Sequence, residues 1–387
     1  MKPSETAVRV VISVGGRFHA VALAEQLERR GMLERIITTK PWYVSGTLPR
    51  ERWVALPAPE YIGAFLRLIG PLRRAGYPSY VKDNIFDAMA RRRIPPCDVF
   101  HAWGNYALIS IPVVRSFGAR VVIERGSAHP RFQEEILREE FERYGMRTEH
   151  PHPQIIEKGL REIELADRVI IPSAFVRHTF LAHGVPEEKL VLAPYGADLT
   201  RFRKLPKRDT VFRVLFVGNI GVQKGVHYLL EAWRRLSAIQ GELVLVGRVE
   251  PDIRSILAEH EGHFVHVGYV PPTELPRWYS DASVFVLPSL QEGSALVTYE
   301  AMACGVPSIV TEHTGSVVRD GVDGFVVPVR DAGAIAEKIL WFHDHPAEAE
   351  RMGSNAMEHV AQFTWARYAD VVTGVYRQLC GEWGEAV

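Results

Sequence analysis

The sequence predicts an α/β protein of two domains, each a doubly wound parallel sheet with helices on both faces. The chain has 387 residues, which is longer than a single hydrophobic core usually supports. Short apolar runs rich in β-branched residues alternate with longer segments of helical periodicity, as in a parallel sheet covered by helices. Residues 200–209 are charged, contain Pro206 and have no periodicity, so they are predicted to link the two domains.

The first half of the chain contains a series of apolar runs that are predicted strands. Each run is continuous rather than alternating, as expected of strands that are buried on both faces of a sheet. The runs are Val8–Val14, Leu33–Thr38, Val99–His101, Val121–Glu124, Val169–Ile171 and Leu190–Ala193. The first domain is therefore predicted to span residues 1–203.

A second series of predicted strands follows the linker. These strands are Phe212–Val217, Leu243–Val246, Phe264–Val267, Val284–Leu287, Ser308–Thr311 and Gly324–Val327. The last helical segment carries Trp365, Tyr368, Val372 and Tyr376 at helical spacing, so it needs an apolar partner. The second domain is predicted to span residues 204–365, and a C-terminal helix, 366–387, is predicted to cross back onto the first domain.

Composition and charge disfavour several classes of protein, including nucleic-acid-binding and membrane-spanning proteins. The formal charge sums to zero, which disfavours a dedicated nucleic-acid-binding protein, so no nucleic-acid partner is expected. The three widely spaced cysteines form neither a disulfide framework nor a zinc-binding pattern, and they favour a reducing cytoplasm. No apolar run approaches the roughly 20 residues of a membrane-spanning helix. Any contact with a membrane is therefore expected from its surface.

A glycine-bearing loop follows the first predicted strand of each domain, where parallel sheets bind their ligands. The two loops contain Gly15, Gly16 and Arg17 in the first domain and Gly218, Asn219, Lys224 and Gly225 in the second. Neither loop has the spacing of a dinucleotide fingerprint or of a P-loop. Lys224 stands at the start of a predicted helix, where a cation and free amide groups favour a phosphate.

Two glutamates eight residues apart form the most specific pattern in the chain. Glu292 ends a strand-to-helix loop, and Glu300 lies two turns along a helix predicted to begin near Ser294. Two carboxylates on one face can bind hydroxyl groups at two points of a long ligand. Between them, the amide groups of Gly293, Ser294 and Ala295 would suit a diphosphate.

Residues 264–311 resemble the donor-binding core of glycosyltransferase family 4, the group 1 glycosyltransferases. The E-x7-E pair of that family matches Glu292 and Glu300, and its lysine–glycine element matches Lys224–Gly225. Its N-terminal loop matches Gly15–Gly16, and its turn before the last strand matches Asp320–Phe325. The resemblance implies the GT-B fold, in which two Rossmann-like domains face each other across a cleft.

The resemblance also implies roles for individual residues. Glu300 would bind the ribose hydroxyls of the donor, Glu292 would lie by the donor sugar, and Lys224 would neutralise the departing diphosphate. His101 resembles the first-domain histidine near that sugar, so Lys224, Glu292 and His101 are the predicted catalytic residues. The predicted donor-binding residues are Gly16, Gly218, Asn219, Lys224, Val267, Tyr269, Glu292, Gly293, Ser294, Ala295, Leu296 and Glu300.

The chain departs from the family pattern in two places. An arginine often follows the glycine of the second-domain loop or precedes the lysine, and this chain has Asn219 and Gln223 there. The glutamate that usually follows the glycine of a later loop is replaced by Ser316. A second cation for the diphosphate would have to come from elsewhere, such as Arg17.

The predicted function is the transfer of a sugar from a nucleotide diphosphate sugar, UDP- or GDP-linked, to a hydroxyl group of a glycan, lipid-linked or small-molecule acceptor. The resemblance implies retention of the anomeric configuration. The chain contains no Asp-x-Asp motif, which favours a site without metal or cofactor. Two alternatives stay open: a nucleotide-sugar epimerase of the same fold, and a non-catalytic nucleotide-sugar-binding protein.

The first domain is expected to bind the acceptor. Arg17 and three residues that follow a predicted strand, Glu124, Arg125 and His129, are assigned to the acceptor side. Residues 61–74 form a basic amphipathic segment that can rest on the inner face of an anionic membrane. Packing of its apolar stripe, which includes Ile62, Phe65 and Leu66, into the core is expected to be its main role.

Overall fold

Two parallel sheets organise the protein in a computed structural model that describes residues 8–16, 19–69, 76–146 and 152–381. The strands of the first sheet are β1 (Val10–Val14), β2 (Leu33–Thr38), β3 (Trp53–Ala55), β4 (Val99–Trp103), β5 (Arg120–Glu124), β6 (Arg168–Ile171) and β7 (Leu190–Leu192). Their order across the sheet is β3-β2-β1-β4-β5-β6-β7. Every described pair of neighbouring strands is parallel, as in a doubly wound domain.

Helices on both sides of this sheet cover strands such as β1, whose residues are all buried. They are α1 (Ala20–Arg29), α2 (Pro41–Val44), α3 (Ala58–Leu68), α4 (Tyr77–Ala90), α5 (Ile111–Ser116), α6 (Pro130–Arg143), α7 (Pro153–Leu165) and α8 (Ala174–Ala182). The strand order reverses between β1 and β4, so the loops after these strands open a crevice at the carboxyl edge.

The second sheet repeats this plan. Its strands are β8 (Phe212–Val217), β9 (Gly241–Val246), β10 (Val265–Gly268), β11 (Val284–Leu287), β12 (Ser308–Thr311) and β13 (Gly324–Val327), in the order β10-β9-β8-β11-β12-β13. Its helices are α9 (Val226–Arg234), α10 (Arg254–Glu259), α11 (Leu275–Asp281), α12 (Leu296–Ala303), α13 (Ala332–Asp344) and α14 (Pro346–Val360). Here the order reverses between β8 and β11, which places the two predicted donor loops side by side.

The C-terminal helix α15 (Trp365–Cys380) packs against α1 of the first domain, as predicted. Its inward face carries Tyr368 and Tyr376, which are fully buried. At the edge of this contact, Nη2 of Arg30, which directly follows α1, donates to Asp370 Oδ1 at 2.6 Å. Residues 382–387 of the predicted helix lie outside the described part of the chain.

The structure differs from the sequence prediction at two elements. The edge strand β3 was missed, because its three residues are only partly buried and do not form a continuous apolar run. Helix α12 begins at Leu296 rather than near Ser294, so Glu292 lies in the loop before the helix. Glu292 and Glu300 therefore do not lie on one face of a helix, contrary to the prediction.

The expectation that the apolar stripe of residues 61–74 packs into the core is also wrong. Helix α3 buries Pro59 and Gly63 against α4, and it leaves Phe65 62% exposed and Ile62 36% exposed. A Cβ atom at Gly63 would lie only 3.3 Å from the side chain of Lys82 on α4. The absence of a side chain at Gly63 therefore lets α3 approach α4 closely. The last part of the predicted segment, residues 70–74, lies outside the described residues.

Candidate active site

The loop after β8 is held in an unusual backbone conformation by its glycines. Gly218 and Gly225 have φ angles of 147° and 65°, which L-residues with side chains rarely adopt. A Cβ at Gly225 would lie 1.9 Å from the carbonyl oxygen of Pro288. Glycine at this position therefore lets the Lys224 loop lie directly against the end of β11.

Lys224 and Glu292 form an ion pair between the loops that follow β8 and β11. The Nζ atom of Lys224 donates to Glu292 Oε1, and Ser289 Oγ lies 3.4 Å from the same oxygen. The backbone holds the two loops together, because the Leu290 amide donates to the Gln223 carbonyl at 2.9 Å. The structure thus brings together two predicted catalytic residues, 23% and 14% exposed in their side chains, at the topological switch point.

Free amide groups lie beside this ion pair. In the described part of the chain, the amides of Gly293, Ser294 and Ala295 donate no hydrogen bond, and they precede the first turn of α12. Unpaired amides at a helix N-terminus favour an anion. A cavity of about 570 Å³ borders the site and is lined by Asn219, Lys224 and, from the first domain, Phe141. There is therefore open space beside Lys224.

Glu300 lies on α12, where Tyr279 OH donates to its Oε2 at 2.8 Å. Burial raises the pKa of Glu300 to about 7, even though the Tyr279 hydrogen bond and the charge of Arg201 act in the opposite direction. The other oxygen, Oε1, forms no hydrogen bond with the described residues, and it can accept hydrogen bonds from hydroxyl groups once the carboxyl group is ionised.

The end of β10 forms the outer side of the predicted donor site. Val267 is partly buried, whereas Tyr269 is 56% exposed just after Gly268. The guanidinium of Arg248 lies 5.2 Å from the centroid of the Tyr269 ring. A flat exposed ring beside a cation provides a stacking surface for a base. Asn219 is exposed at the same edge, and Leu296 is partly buried at the start of α12.

Contacts between the two domains converge on Gly293, which sequence reasoning assigned only to the donor. A Cβ at Gly293 would lie 2.0 Å from the carbonyl oxygen of Gly126 in the first domain. The Ser173 hydroxyl of the first domain donates to the Gly293 carbonyl at 2.6 Å. Gly126 lies in the segment from Glu124 to His129, which was predicted to face the cleft. Ser173 was missed as a site residue, because only the tertiary fold brings its loop to this point.

His101 is completely buried beneath the first-domain crevice. Its Nε2 lies 3.1 Å from Glu124 Oε2, and its Nδ1 lies 2.6 Å from Tyr376 OH of α15. Glu124 also contacts His19 Nε2 at 2.5 Å and accepts a 2.5 Å hydrogen bond from Tyr368 OH. A contact of His101 with a donor sugar would require this network to open, so that role stays a prediction.

The structure places the other predicted acceptor residues below the surface of the cleft. Arg125 is 7% exposed, and its guanidinium lies over Gly104 at the end of β4, where a Cβ would be 2.2 Å from Nη1. His129 is buried and stacks on His183, with ring centroids 4.3 Å apart. Gly16 ends the described part of the first loop, and Arg17 lies outside the described residues.

Neither a metal site nor a membrane span is found where the chain is described. Across the described ranges, no three His, Cys, Asp or Glu side chains are grouped so that they could hold a metal ion. The helices formed by these residues are all too short or too polar to cross a bilayer.

Comparison with family models assigns both halves of the chain. Residues 15–201 match the model for Glycosyltransferase Family 4, and residues 211–345 match the model for Glycosyl transferases group 1. Together the two models match most of the chain. The boundary between them falls within the predicted linker.

Individual relatives agree with this assignment, and solved structures share the fold. The D-inositol 3-phosphate glycosyltransferase 1 of Catenulispora acidiphila is 30% identical over 244 residues, which cover 56% of this chain and 58% of that protein. The match spans about half the length of the curated relatives. Sucrose-phosphate synthase from Thermosynechococcus elongatus aligns with a TM-score of 0.67 at 22% identity, covering 97% of this chain and 100% of the other.

The fold likeness extends to a structure with a bound nucleotide. The HepE protein of Anabaena, solved with UDP, aligns with a TM-score of 0.68 at 15% identity, covering 96% of this chain and 100% of the other. At these identities the likeness establishes the GT-B fold alone. With two matching family models, the paired Rossmann-like domains and the E-x7-E pair, the chain belongs to the group 1 glycosyltransferases of family 4.

Proposed function

We propose that the protein transfers a sugar from a nucleotide diphosphate sugar to a hydroxyl group of an acceptor. The observation that carries this proposal is the Lys224–Glu292 ion pair beside the unpaired amides of residues 293–295. A cation and fixed amide donors stabilise the charge that develops when the sugar–phosphate bond breaks, and they need no reorganisation to do so. Glu300, at the other end of this surface, would accept hydrogen bonds from the ribose.

The reaction is proposed to need no metal or cofactor and to retain the anomeric configuration. Lys224 and the amides supply positive charge at the place where a metal ion would otherwise be required. Retention is proposed from family membership. UDP is the first nucleotide to test, because the HepE structures contain UDP, UDP with glucose, or UDP-glucose. GDP is the second.

The acceptor is proposed to bind in the first-domain crevice, and the protein is proposed to work in the cytoplasm. The loop after β5 meets the donor loops, because Gly126 lies directly against Gly293. A glycan, a lipid-linked molecule or a small molecule would each present a hydroxyl group at this surface.

Melting temperatures measured with UDP, GDP, ADP and their sugars in EDTA test the donor site. A ligand at a hundred times its dissociation constant stabilises the native state by about 2.7 kcal/mol, which is readily detected. We expect one nucleotide to raise the melting temperature, and Lys224→Ala and Glu300→Ala to reduce the shift. Lys338→Ala changes a partly exposed lysine of α13 that pairs with Glu337, and it serves as the control. Absence of a shift with every diphosphate would refute the donor site.

Product analysis separates the proposed activity from its two alternatives. A transferase forms a glycosylated product and releases nucleotide diphosphate in proportion to the acceptor added. An epimerase would change the sugar without any acceptor, and a binding protein would show the melting shift without turnover.

A further inference from the structure

Helix α3 points its aromatic and aliphatic side chains away from the protein. Tyr61, Phe65 and Leu68, here called the α3 stripe, are 73%, 62% and 82% exposed. Their spacing places them on one face of the helix. The buried face of α3 contains Pro59 and Gly63 instead. An amphipathic helix normally turns its apolar face inward, but this orientation leaves the apolar face of α3 exposed among the residues that the structure describes.

Neighbouring residues enlarge the exposed surface. Ile62 adjoins the α3 stripe and is 36% exposed, and Trp42, on α2, is 60% exposed. Scattered exposed apolar residues are ordinary, but a contiguous patch on one helix marks an interaction site. Helix α2 packs against the edge strand β3, and α3 follows that strand in the chain.

The charges on α3 favour an anionic partner. Arg67 lies between Phe65 and Leu68, is exposed, and forms no ion pair within the described ranges. The acidic residue of the helix, Glu60, is neutralised by Lys40 at 2.9 Å and Lys82 at 3.6 Å. The outward face therefore combines apolar side chains, an interfacial Tyr and an unpaired cation. This combination is typical of a helix that lies in the headgroup region of a bilayer.

The α3 stripe is also close to the acceptor side of the cleft. The Thr39 hydroxyl lies 3.1 Å from both Glu60 Oε1, in the first turn of α3, and the carbonyl oxygen of Gly15. Gly15 opens the loop after β1 at the first switch point. Leu68 is eight residues beyond Glu60, which is about 12 Å along the helix. A surface that touches Leu68 is therefore within reach of the crevice.

We propose that the α3 stripe docks on the surface of an anionic bilayer and that the acceptor is a lipid-linked molecule presented there. The second part rests on the proposed transferase function. The hydroxyl group of a lipid-anchored acceptor would enter the crevice near Gly15 while its tail stays in the bilayer. The nucleotide sugar would reach the second domain from solution.

Co-sedimentation with vesicles tests the docking surface on the whole protein. We expect binding to phosphatidylcholine vesicles that contain phosphatidylglycerol, and a loss of about tenfold or more in Phe65→Ser/Leu68→Ser, since two large apolar side chains no longer insert. Arg67→Glu should weaken binding to the anionic vesicles and leave the weaker binding to pure phosphatidylcholine unchanged. Phe117→Ser, which removes a 42% exposed aromatic elsewhere in the first domain, is the matched control.

Three outcomes would overturn the docking proposal. The first is that the wild-type protein does not sediment with anionic vesicles. The second is that the double variant binds these vesicles as well as the wild type does. The third is that the wild type is a dimer that does not bind vesicles, whereas the double variant is a monomer. The last result would identify the occupant as a second copy of this chain. Unchanged melting temperatures verify that the variants fold.

Two further readouts separate this inference from the proposed function. Nucleotide-induced melting shifts report the donor site alone, so a double variant with a normal shift and no vesicle binding supports docking. The acceptor class is tested with the radiolabelled nucleotide sugar that gives the largest shift and a bacterial lipid extract. Radioactive label that the wild type transfers into the organic phase supports a lipid-linked acceptor. The double variant should transfer about tenfold less label, because it no longer docks on the lipid. Label that enters only water-soluble products refutes a lipid-linked acceptor.

Discussion

Glu140 of α6 and Arg330 of the second domain form an ion pair that joins the two domains. Arg330 Nε donates to Glu140 Oε2 at 2.6 Å, and Glu140 is fully buried. The other carboxylate oxygen accepts hydrogen bonds from His227 Nε2 at 2.9 Å and Tyr228 OH at 2.6 Å. Burial alone would raise the pKa of Glu140, but these hydrogen bonds hold it below its ordinary value. Because His227 lies in the first turn of α9, three residues after Lys224, the pair anchors α6 beside the donor loop.

Removal of the Glu140 carboxylate should loosen the domain arrangement. Glu140→Ala leaves three buried or partly buried donors without an acceptor, so we expect the free energy of unfolding to fall by roughly 3 kcal/mol. Small-angle scattering should show a larger radius of gyration. Glu139→Ala removes only the exposed contact of Arg330 at 3.1 Å and should change neither quantity. Identical stability and size in Glu140→Ala would show that the pair does not hold the domains together.

Loss of the Lys224 charge should slow the chemical step. Lys224→Met keeps the length of the side chain and removes the charge, so we expect the barrier to rise by about 3 kcal/mol and kcat to fall by two to three orders of magnitude. Steady-state kinetics with the preferred donor would measure this change. Lys338→Met is the control. A variant that keeps wild-type kcat would exclude Lys224 from stabilising the leaving diphosphate.

Affinity for the donor should depend on the ionisation of Glu300. Because burial raises the pKa of Glu300 to about 7, the carboxylate that accepts the ribose hydrogen bonds predominates only above that pH. Affinity for UDP-glucose, whose diphosphate does not titrate in this range, should fall by about tenfold between pH 8 and pH 6. Calorimetric titration with UDP-glucose at each pH measures this affinity. Glu300→Gln should bind more weakly and show a flat profile, and a flat wild-type profile would contradict the assigned role.

Protonation of Glu124 should remove the stabilisation that this carboxylate provides. Burial would raise the pKa of Glu124, but the charges and hydrogen bonds of His19 and His101 lower it to about 2. Because the pKa of Glu124 is lower in the folded protein than in the unfolded chain, its carboxylate contributes fully to the free energy of unfolding above about pH 4.5. This contribution is lost as the pH falls towards 2. Glu124→Gln should therefore cost about 3 kcal/mol of unfolding free energy at pH 7 and progressively less between pH 4.5 and 3. Urea unfolding across this range measures the difference.

The same network provides a test of His101. Tyr376→Phe removes the hydroxyl partner of His101 Nδ1 and should cost about 1 kcal/mol of stability, whatever the role of the histidine. If His101 contacts the donor sugar, His101→Ala lowers kcat well beyond the effect of Tyr376→Phe at saturating donor. Equal kcat values in the two variants would assign His101 to support of α15 and β4 alone.

Much of the donor site could be predicted because it is local in sequence. Glu292, Gly293 and Glu300 lie within one loop and one helix, and Lys224–Gly225 follows a strand whose apolar run is unmistakable. The carboxyl ends of parallel strands meet at one edge, so the alternation of strands and helices was enough to place these residues near each other. The ion pair itself appeared only in the structure.

The sequence by itself determined the two parallel sheets, their strands other than β3, and the loops that carry the donor residues, because hydrophobic periodicity and glycine placement are local properties of the chain. Only the tertiary structure decided that His101 is enclosed by Glu124 and Tyr376, that Glu140 meets Arg330, and that α3 turns Phe65 outward. An amphipathic pattern defines an apolar face but does not say which surface that face meets. That depends on packing between distant segments, here the close approach of Gly63 to α4.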